Sequence, residues 1–497
     1  MHADERERGP SGDPDRLTGG PRDGFARTLT AASWVLWLAS LAAIWAFVAG
    51  VGAVDVAGLL HIDGLTVTMW AVVAFFTGIV HTYSLRYMAG NEGRGRFFVG
   101  VSAFAATVGL LVAADHVAVF AAAWLGMGLI MAELIGHARS WPQAREAARL
   151  ARRSFLASSL LVAAGLGALA WAAGSTTLTG ILAGVDALPR WARLAAGAAL
   201  ALGAVVQSAL APFQGWLMSS MTAPTPASAL MHAGFVNAGG LLLARTAPVF
   251  AAEPFLLGSL AVLGTASALL GKVWKSVQPD LKRRLGSSTV AQMGFMVLQA
   301  GLGLFAAAIT HLVLHGFYKA YRFLAAGTGI ARESPGADAE VSPLGVAGST
   351  VALGTGLASA VLFAVLTGKG LHLDGGLVLA GLVALTGVHA ARQVARRANL
   401  RDSWRYGALP LIGLPAVALY AGAYRLVRGL MADVPASSSP VELTFLHGAL
   451  AAAFLTTYIA LETGVHRRSR RLYAWLLNAG QPRPETVLTS REEYDDH

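Results

Sequence analysis

Three basic side chains, His311, His315 and Lys319, recur at four-residue intervals within an otherwise apolar stretch. On a helix this spacing stacks them along one face, one turn apart. Histidine sheds its proton near neutral pH and a desolvated lysine can be brought to do so, whereas arginine stays charged. A ladder of these types can therefore pass protons. Lys319 stands out by residue choice: the chain has only five lysines (Lys272, Lys275, Lys282, Lys319 and Lys369) among its 38 Lys and Arg residues. The competing reading is that the histidines brace neighbouring helices and that Lys319 snorkels to an interface. The two histidines also share metal-ligand spacing. With no carboxylate nearby in sequence and no HExxH motif, no metal site is expected.

A second polar set flanks residues 211–226, where Pro212, Gly215, Pro224 and Pro226 interrupt two apolar stretches. Gln207, Ser208 and Gln214 precede or open it, and Ser228, His232 and Asn237 follow. Proline and glycine there imply either a helix broken at membrane depth beside an ion path or a plain cytoplasmic hairpin. His232 and Asn237 could hold water in a channel or merely satisfy freed carbonyls. Glu133 is the acid best placed within a span, either as a proton acceptor or paired with Arg139. Asp63 and Asp115 read as solvated caps at outer helix ends. The glycines of residues 50–52 and 90–95 follow no strand and lack a phosphate-binding pattern.

The elements that must position these groups follow from composition. Of 497 residues, 55% are hydrophobic and 13% charged, with mean hydropathy +0.56. A soluble globule carries roughly twice that share of charge. From about Thr28 onward there are roughly fourteen apolar stretches of spanning length. Arginines and lysines concentrate after alternate stretches, at Arg86 to Arg96, Arg139 to Arg153, Lys272 to Arg284, Arg392 to Arg405 and Arg468 to Arg471. The positive-inside rule then puts both termini in the cytoplasm and the chain in the cell (inner) membrane. The net charge of +10 is topology, and no nucleic acid is expected. Abundant Gly and Ala imply close helix packing. Cysteine is absent, which leaves no thiolate for zinc or iron–sulfur clusters, so no cofactor is expected in this chain. The expected organisation is a disordered cytoplasmic leader over 1–28, a helical core over 29–330, C-terminal transmembrane helices over 331–465 and a cytoplasmic tail over 466–497.

Four ordered motifs carry a family likeness: residues 62–69 (IDGLTVTM) with 80–88 (VHTYSLRYM); 223–232 (APTPASALMH); 280–295 (DLKRRLGSSTVAQMGF); and the His311 to Lys319 ladder. In these the chain resembles the antiporter-like subunits of respiratory complex I and of multisubunit cation/proton antiporters, specifically the large L type. Residues 232–240 (HAGFVNAGG), 291–303 and 317–321 (FYKAY) look most like the membrane subunit of the DAB inorganic-carbon accumulation complex. The resemblance implies an all-α polytopic antiporter-like fold with at least one broken helix. It also implies a partner resembling a zinc β-carbonic anhydrase, with H+ or Na+ flow energising hydration of CO2 to bicarbonate, so catalysis and zinc are expected in the partner. It carries over a relay of Lys282, His311, His315 and Lys319, with His232 as a weaker member. Two departures matter. Trp124-Leu125 stands where complex I subunits have Trp-Glu, and Gln207 where they have a lysine. The conducting half is therefore expected to be the second. Alternatives are a subunit of a complex I-like oxidoreductase or multisubunit antiporter, and a non-conducting anchor for a catalytic partner.

Overall fold

The computed structural model describes residues 21–326, 345–395 and 402–487. Residues 1–20 of the expected leader, the expected core boundary near 330, Arg396 to Arg401 and the end of the tail lie outside the described residues. The first helix, α1 (Pro21–Ala46), runs antiparallel to α2 (Gly64–Tyr87) across a small hairpin of β1 (Val54–Val56) and β2 (Leu60–Ile62), in which Asp55 faces His61. Next come α3 (Arg94–Ala113), α4 (Val117–Ile135) and α5 (Pro142–Ala173). Pro142, with φ preset and no N–H to leave unpaired, opens α5. An alanine-rich run carries this helix through Arg145 to Arg153, which the sequence places in a loop. Helices α6 (Leu178–Ala183) and α7 (Arg190–Gln207) complete the first half.

The proline run folds into a turn with Pro212 and Phe213 exposed at its tip, followed by the buried α8 (Gly215–Ser219). The break within a span comes later. Helix α9 (Thr225–Ala233) stops at Gly234 (φ −122°, ψ −65°). One tight turn over Phe235–Asn237 follows before α10 (Ala238–Arg245) resumes. All of Thr225–Arg245 but Gly234 is buried, so irregular backbone at this depth is covered by protein as the bilayer requires.

After α11 (Ala247–Ala251), helices α12 (Pro254–Val277), α13 (Leu281–Gly301) and α14 (Phe305–Ala326) form the centre. Glycines let α12 and α13 meet backbone to backbone. A Cβ on Gly264 would lie 2.3 Å from Leu298 N, one on Gly271 2.4 Å from Ala291 N, one on Gly294 2.4 Å from Ala268 N and one on Gly301 2.3 Å from Ala261 N. The chain continues as α15 (Val346–Thr367), α16 (Gly375–Ala395), α17 (Asp402–Leu430) and α18 (Phe445–Glu462), then the short α19 (Val465–Arg468) and α20 (Arg470–Ala479).

Among the described residues, eleven helical segments are long and apolar enough to cross a membrane, against about fourteen expected. The stretches near Leu202, Met296 and Leu314 are helical too, as α7, α13 and α14. They carry Arg190 and Arg193, Lys282 to Arg284, and the ladder with Arg322, which lowers their mean hydropathy.

Candidate ion-relay site

Helix α14 places the ladder as its spacing requires. The rings of His311 and His315 stack with centroids 5.8 Å apart and an interplanar angle of 13°. Lys319, one turn on, is wholly buried and donates from Nζ to the Leu285 carbonyl of α13 at 2.8 Å. Gly316, between His315 and Lys319, lets α14 press on the helix break: a Cβ there would sit 2.8 Å from Ala233 O.

The Leu285 carbonyl also accepts the Thr289 hydroxyl at 3.0 Å, and Thr289 Oγ1 pairs with His232 Nδ1 at 2.9 Å. A hydroxyl has one hydrogen, and Thr289 gives it to Leu285, so His232 donates from Nδ1 and its Nε2 carries the lone pair. That Nε2 is buried with no protein partner, as are both ring nitrogens of His315 and Nε2 of His311. His232 is clamped flat on Phe323 of α14, with centroids 4.3 Å apart. Lys319, Leu285, Thr289 and His232 therefore form one hydrogen-bonded bridge from α14 through α13 to α9. Buried polar atoms left open along it offer binding points for water. Thr289 was not singled out from sequence. A threonine in a membrane helix is ordinarily packing, and a backbone carbonyl carries no sequence signature.

The remaining candidates divide. Lys282 donates to Met221 O at 3.1 Å, tying the start of α13 to the chain just before α9. Gln207, at the end of α7, is fully buried with neither amide atom bonded, and Ser208 Oγ beside it is equally open. Asn237 donates to Ala233 O at 2.6 Å, sealing the carbonyl freed by the break, while its Oδ1 stays open. Glu133 does not belong with the channel candidates. It is exposed on α4 and paired with Arg139 (3.4 Å) and Arg152, because the extension of α5 brings Arg152 alongside.

Three further sites correct or extend the sequence reading. Asp63 is not a solvated cap. It is buried, caps α2 through Thr66 N at 2.8 Å and forms an ion pair with Arg245 at the end of α10. Arg245 also donates to Val112 O at 2.7 Å. Burial alone would push the Asp63 carboxyl up, and Arg245 with Thr66 outweighs it, holding the carboxyl below its ordinary value. Asp115 is likewise buried, accepting from Thr179 N (2.8 Å) and Oγ1 (2.9 Å). Lys369, just past α15, is a second buried lysine. It donates to Ser438 Oγ at 3.1 Å and lies 5.6 Å from the Tyr424 ring centroid. In sequence it stands among the five lysines with no role assigned. No cluster of three or more His, Cys, Asp or Glu that could hold a metal occurs among the described residues.

Comparison with known proteins matches this architecture twice. The family described as NADH:quinone oxidoreductase/Mrp antiporter, transmembrane, covers residues 114–341, and the complex I chain 5 N-terminal family covers residues 30–98. The probable inorganic carbon transporter subunit DabB1 of Halothiobacillus neapolitanus is 39% identical over 280 residues, 54% of this chain and 50% of that one. DabB of Bacillus subtilis is 30% identical over 443 residues, covering 86% and 85%. NADH-quinone oxidoreductase subunit L of Mycobacterium tuberculosis is 36% identical over 274 residues, 54% and 43%. The matched part thus spans about half the length of the first of these relatives. Among solved structures, a chain of the Mrp complex from Dietzia sp. superposes with TM-score 0.56 at 24% identity, over 93% of this chain and 49% of that one. A chain of the archaeal membrane-bound sulfane sulfur reductase gives TM-score 0.56 at 16% identity, over 93% and 92%. Both likenesses concern the fold.

Proposed function

Because the chain belongs to the NADH:quinone oxidoreductase/Mrp antiporter family of membrane subunits, we propose that it conducts H+ or Na+ for an inorganic-carbon uptake complex. Its partner in this reading is a zinc protein resembling a carbonic anhydrase, which hydrates CO2. The observation that carries the reading is the set of buried, open ring nitrogens on His232, His315 and His311 beside the wholly buried Lys319, with the Leu285 carbonyl and the Thr289 hydroxyl fixing Lys319 and His232 in place. A bracing role would leave these nitrogens saturated, yet four of them are buried and open. The extent of the match to DabB of Bacillus subtilis favours carbon uptake as the task. One proton falling through 100 mV releases about 2.3 kcal/mol. Full coupling would shift a hydration equilibrium about fiftyfold.

Lys319 exchanges protons with His315, His311 and His232 Nε2 through water, and the Leu285 carbonyl and the Thr289 hydroxyl hold Lys319 and His232 in position. Lys282 shapes the entrance at the basic end, and Gln207 with Asn237 positions water. The chain lies in the cell membrane with both termini cytoplasmic. The test is growth rescue of a carbonic-anhydrase-deficient host in ambient air by the chain with its partner. Lys319→Ala should abolish rescue, and rescue that persists at normal expression overturns the assignment. The similarity to subunit L favours a second reading, a subunit of a complex I-like oxidoreductase or multisubunit antiporter. Copurification separates them: a single large zinc protein supports carbon uptake, and a set of redox or antiporter subunits supports the alternative.

A further inference from the structure

A cavity of about 580 Å³ lies between α12 to α14 and the C-terminal helices α15 to α18. Its wall includes His311 of the ladder and, on other helices, Lys272 of α12 and His389 of α16. Those last two are 3.5 Å apart, Nζ to Nε2, and His389 Nδ1 lies 3.1 Å from Glu462 Oε1 on α18. Arg392 approaches the other Glu462 oxygen at 3.8 Å. Three helices thus bring a lysine, a histidine and a carboxylate into one file at the end of the bundle that carries Lys275 and Arg284, with Lys272 itself exposed. None of the three belongs to the relay described above.

We infer that this cavity is a water-filled branch that joins the ladder at His311 and that Lys272, His389 and Glu462 form its outer proton-exchange site. The inference rests on the proton-conducting reading above. The volume holds more than ten waters at about 30 Å³ each. The Thr355 and Thr386 hydroxyls on its wall donate to their own helices, to Val351 O and Leu382 O, both at 2.8 Å. Their lone pairs are left to accept from water, and the partly exposed His311 ring lines the same wall. Because Glu462 accepts from His389 Nδ1, His389 Nε2 is an acceptor, taking the Gln393 amide at 2.7 Å with Lys272 Nζ 3.5 Å away. The transfer balances as proton movement alone. The Lys272 ammonium gives H+ to the first cavity water, and the last water gives H+ to the His311 ring, forming the imidazolium. Lys272, left as the amine, is reprotonated through His389 with Glu462 stabilising the imidazolium that forms. No electron changes hands.

The chain has no cysteine, so Thr355→Cys places a single thiol of this chain in the cavity of the intact complex. The probes are a positively charged methanethiosulfonate and an apolar maleimide, with proton flux measured in reconstituted vesicles. The expected result is that the charged reagent labels Thr355→Cys and cuts flux at least fivefold, and that Lys272→Met alone does the same. Labelling by the maleimide only means a cavity filled with lipid and overturns the branch. Unchanged flux in both labelled Thr355→Cys and Lys272→Met, with Lys319→Ala still inactive, also overturns the branch while the parent reading stands. A wild-type complex that conducts no protons removes both.

Discussion

A lysine ammonium enclosed by apolar helices is worth keeping only if its charge can come and go or is permanently matched, because an uncompensated cation there costs about 2.5 to 3.5 kcal/mol on insertion scales. Among the described residues Lys319 has a carbonyl for a partner and no carboxylate, which favours exchange. Lys319→Arg keeps the charge but cannot release it. That variant should assemble normally yet lose at least tenfold in vesicle proton flux, and flux within twofold of wild type would refute the role. Asp63 illustrates the opposite case, a carboxylate permanently matched by Arg245. Its folded value lies below the ordinary carboxylate value of about 3.9. Its contribution is therefore complete above that ordinary value and is lost as pH falls through the lower folded one. Asp63→Asn leaves the Arg245 charge buried and unmatched, a loss of about 3 to 5 kcal/mol, to be read as a lowered unfolding midpoint in detergent at pH 7. The ladder was legible because four-residue spacing is itself a helical statement. Asp63 and Arg245 are 182 residues apart, and nothing local to either announces the other. Glu133 takes the Arg139 pairing that the sequence offers as one of two alternatives, and its second partner Arg152, 19 residues on, lies in a helix extension that resembles a loop by charge alone.

Among the elements, α13 is the crosspiece: one face bears Leu285 and Thr289 toward α14 and α9, and the other bears the small residues that meet α12. Gly271→Val would drive a side chain into the Ala291 amide, where even a Cβ sits at 2.4 Å. Overpacking of this kind costs about 1 to 3 kcal/mol. The expected outcome is a lower thermal midpoint of the solubilised complex and weaker flux, whereas Gly167→Ala, in open space on α5, should change neither. Composition foretold close packing without identifying the pair of helices. Proline likewise flagged an irregular segment, but the break in the span falls at Gly234, eight residues past Pro226, where the Asn237 side chain takes up the freed Ala233 carbonyl.

For the whole molecule, neighbouring basic junctions touch, with Arg96 donating to His137 O at 2.8 Å and Arg283 to Gln481 Oε1 at 2.7 Å. One end of the bundle therefore gathers positive charge, as a cytoplasmic face should. A fluorescent reporter fused after residue 487 should light up in the cytoplasm, and a periplasmic reporter there should stay silent. The reverse pattern would invert the orientation. The complex purified through a tag on this chain should carry zinc stoichiometric with a soluble partner, measurable by elemental analysis. The seam where α12 and α13 touch through bare backbone has a mechanical meaning for all of this. Neither rod can slip past its neighbour by a residue without ramming an amide, so α12 and α13 move as one stiff wall, and a proton path beside them would have to work by rearranging charge and solvent, with no rocking piston.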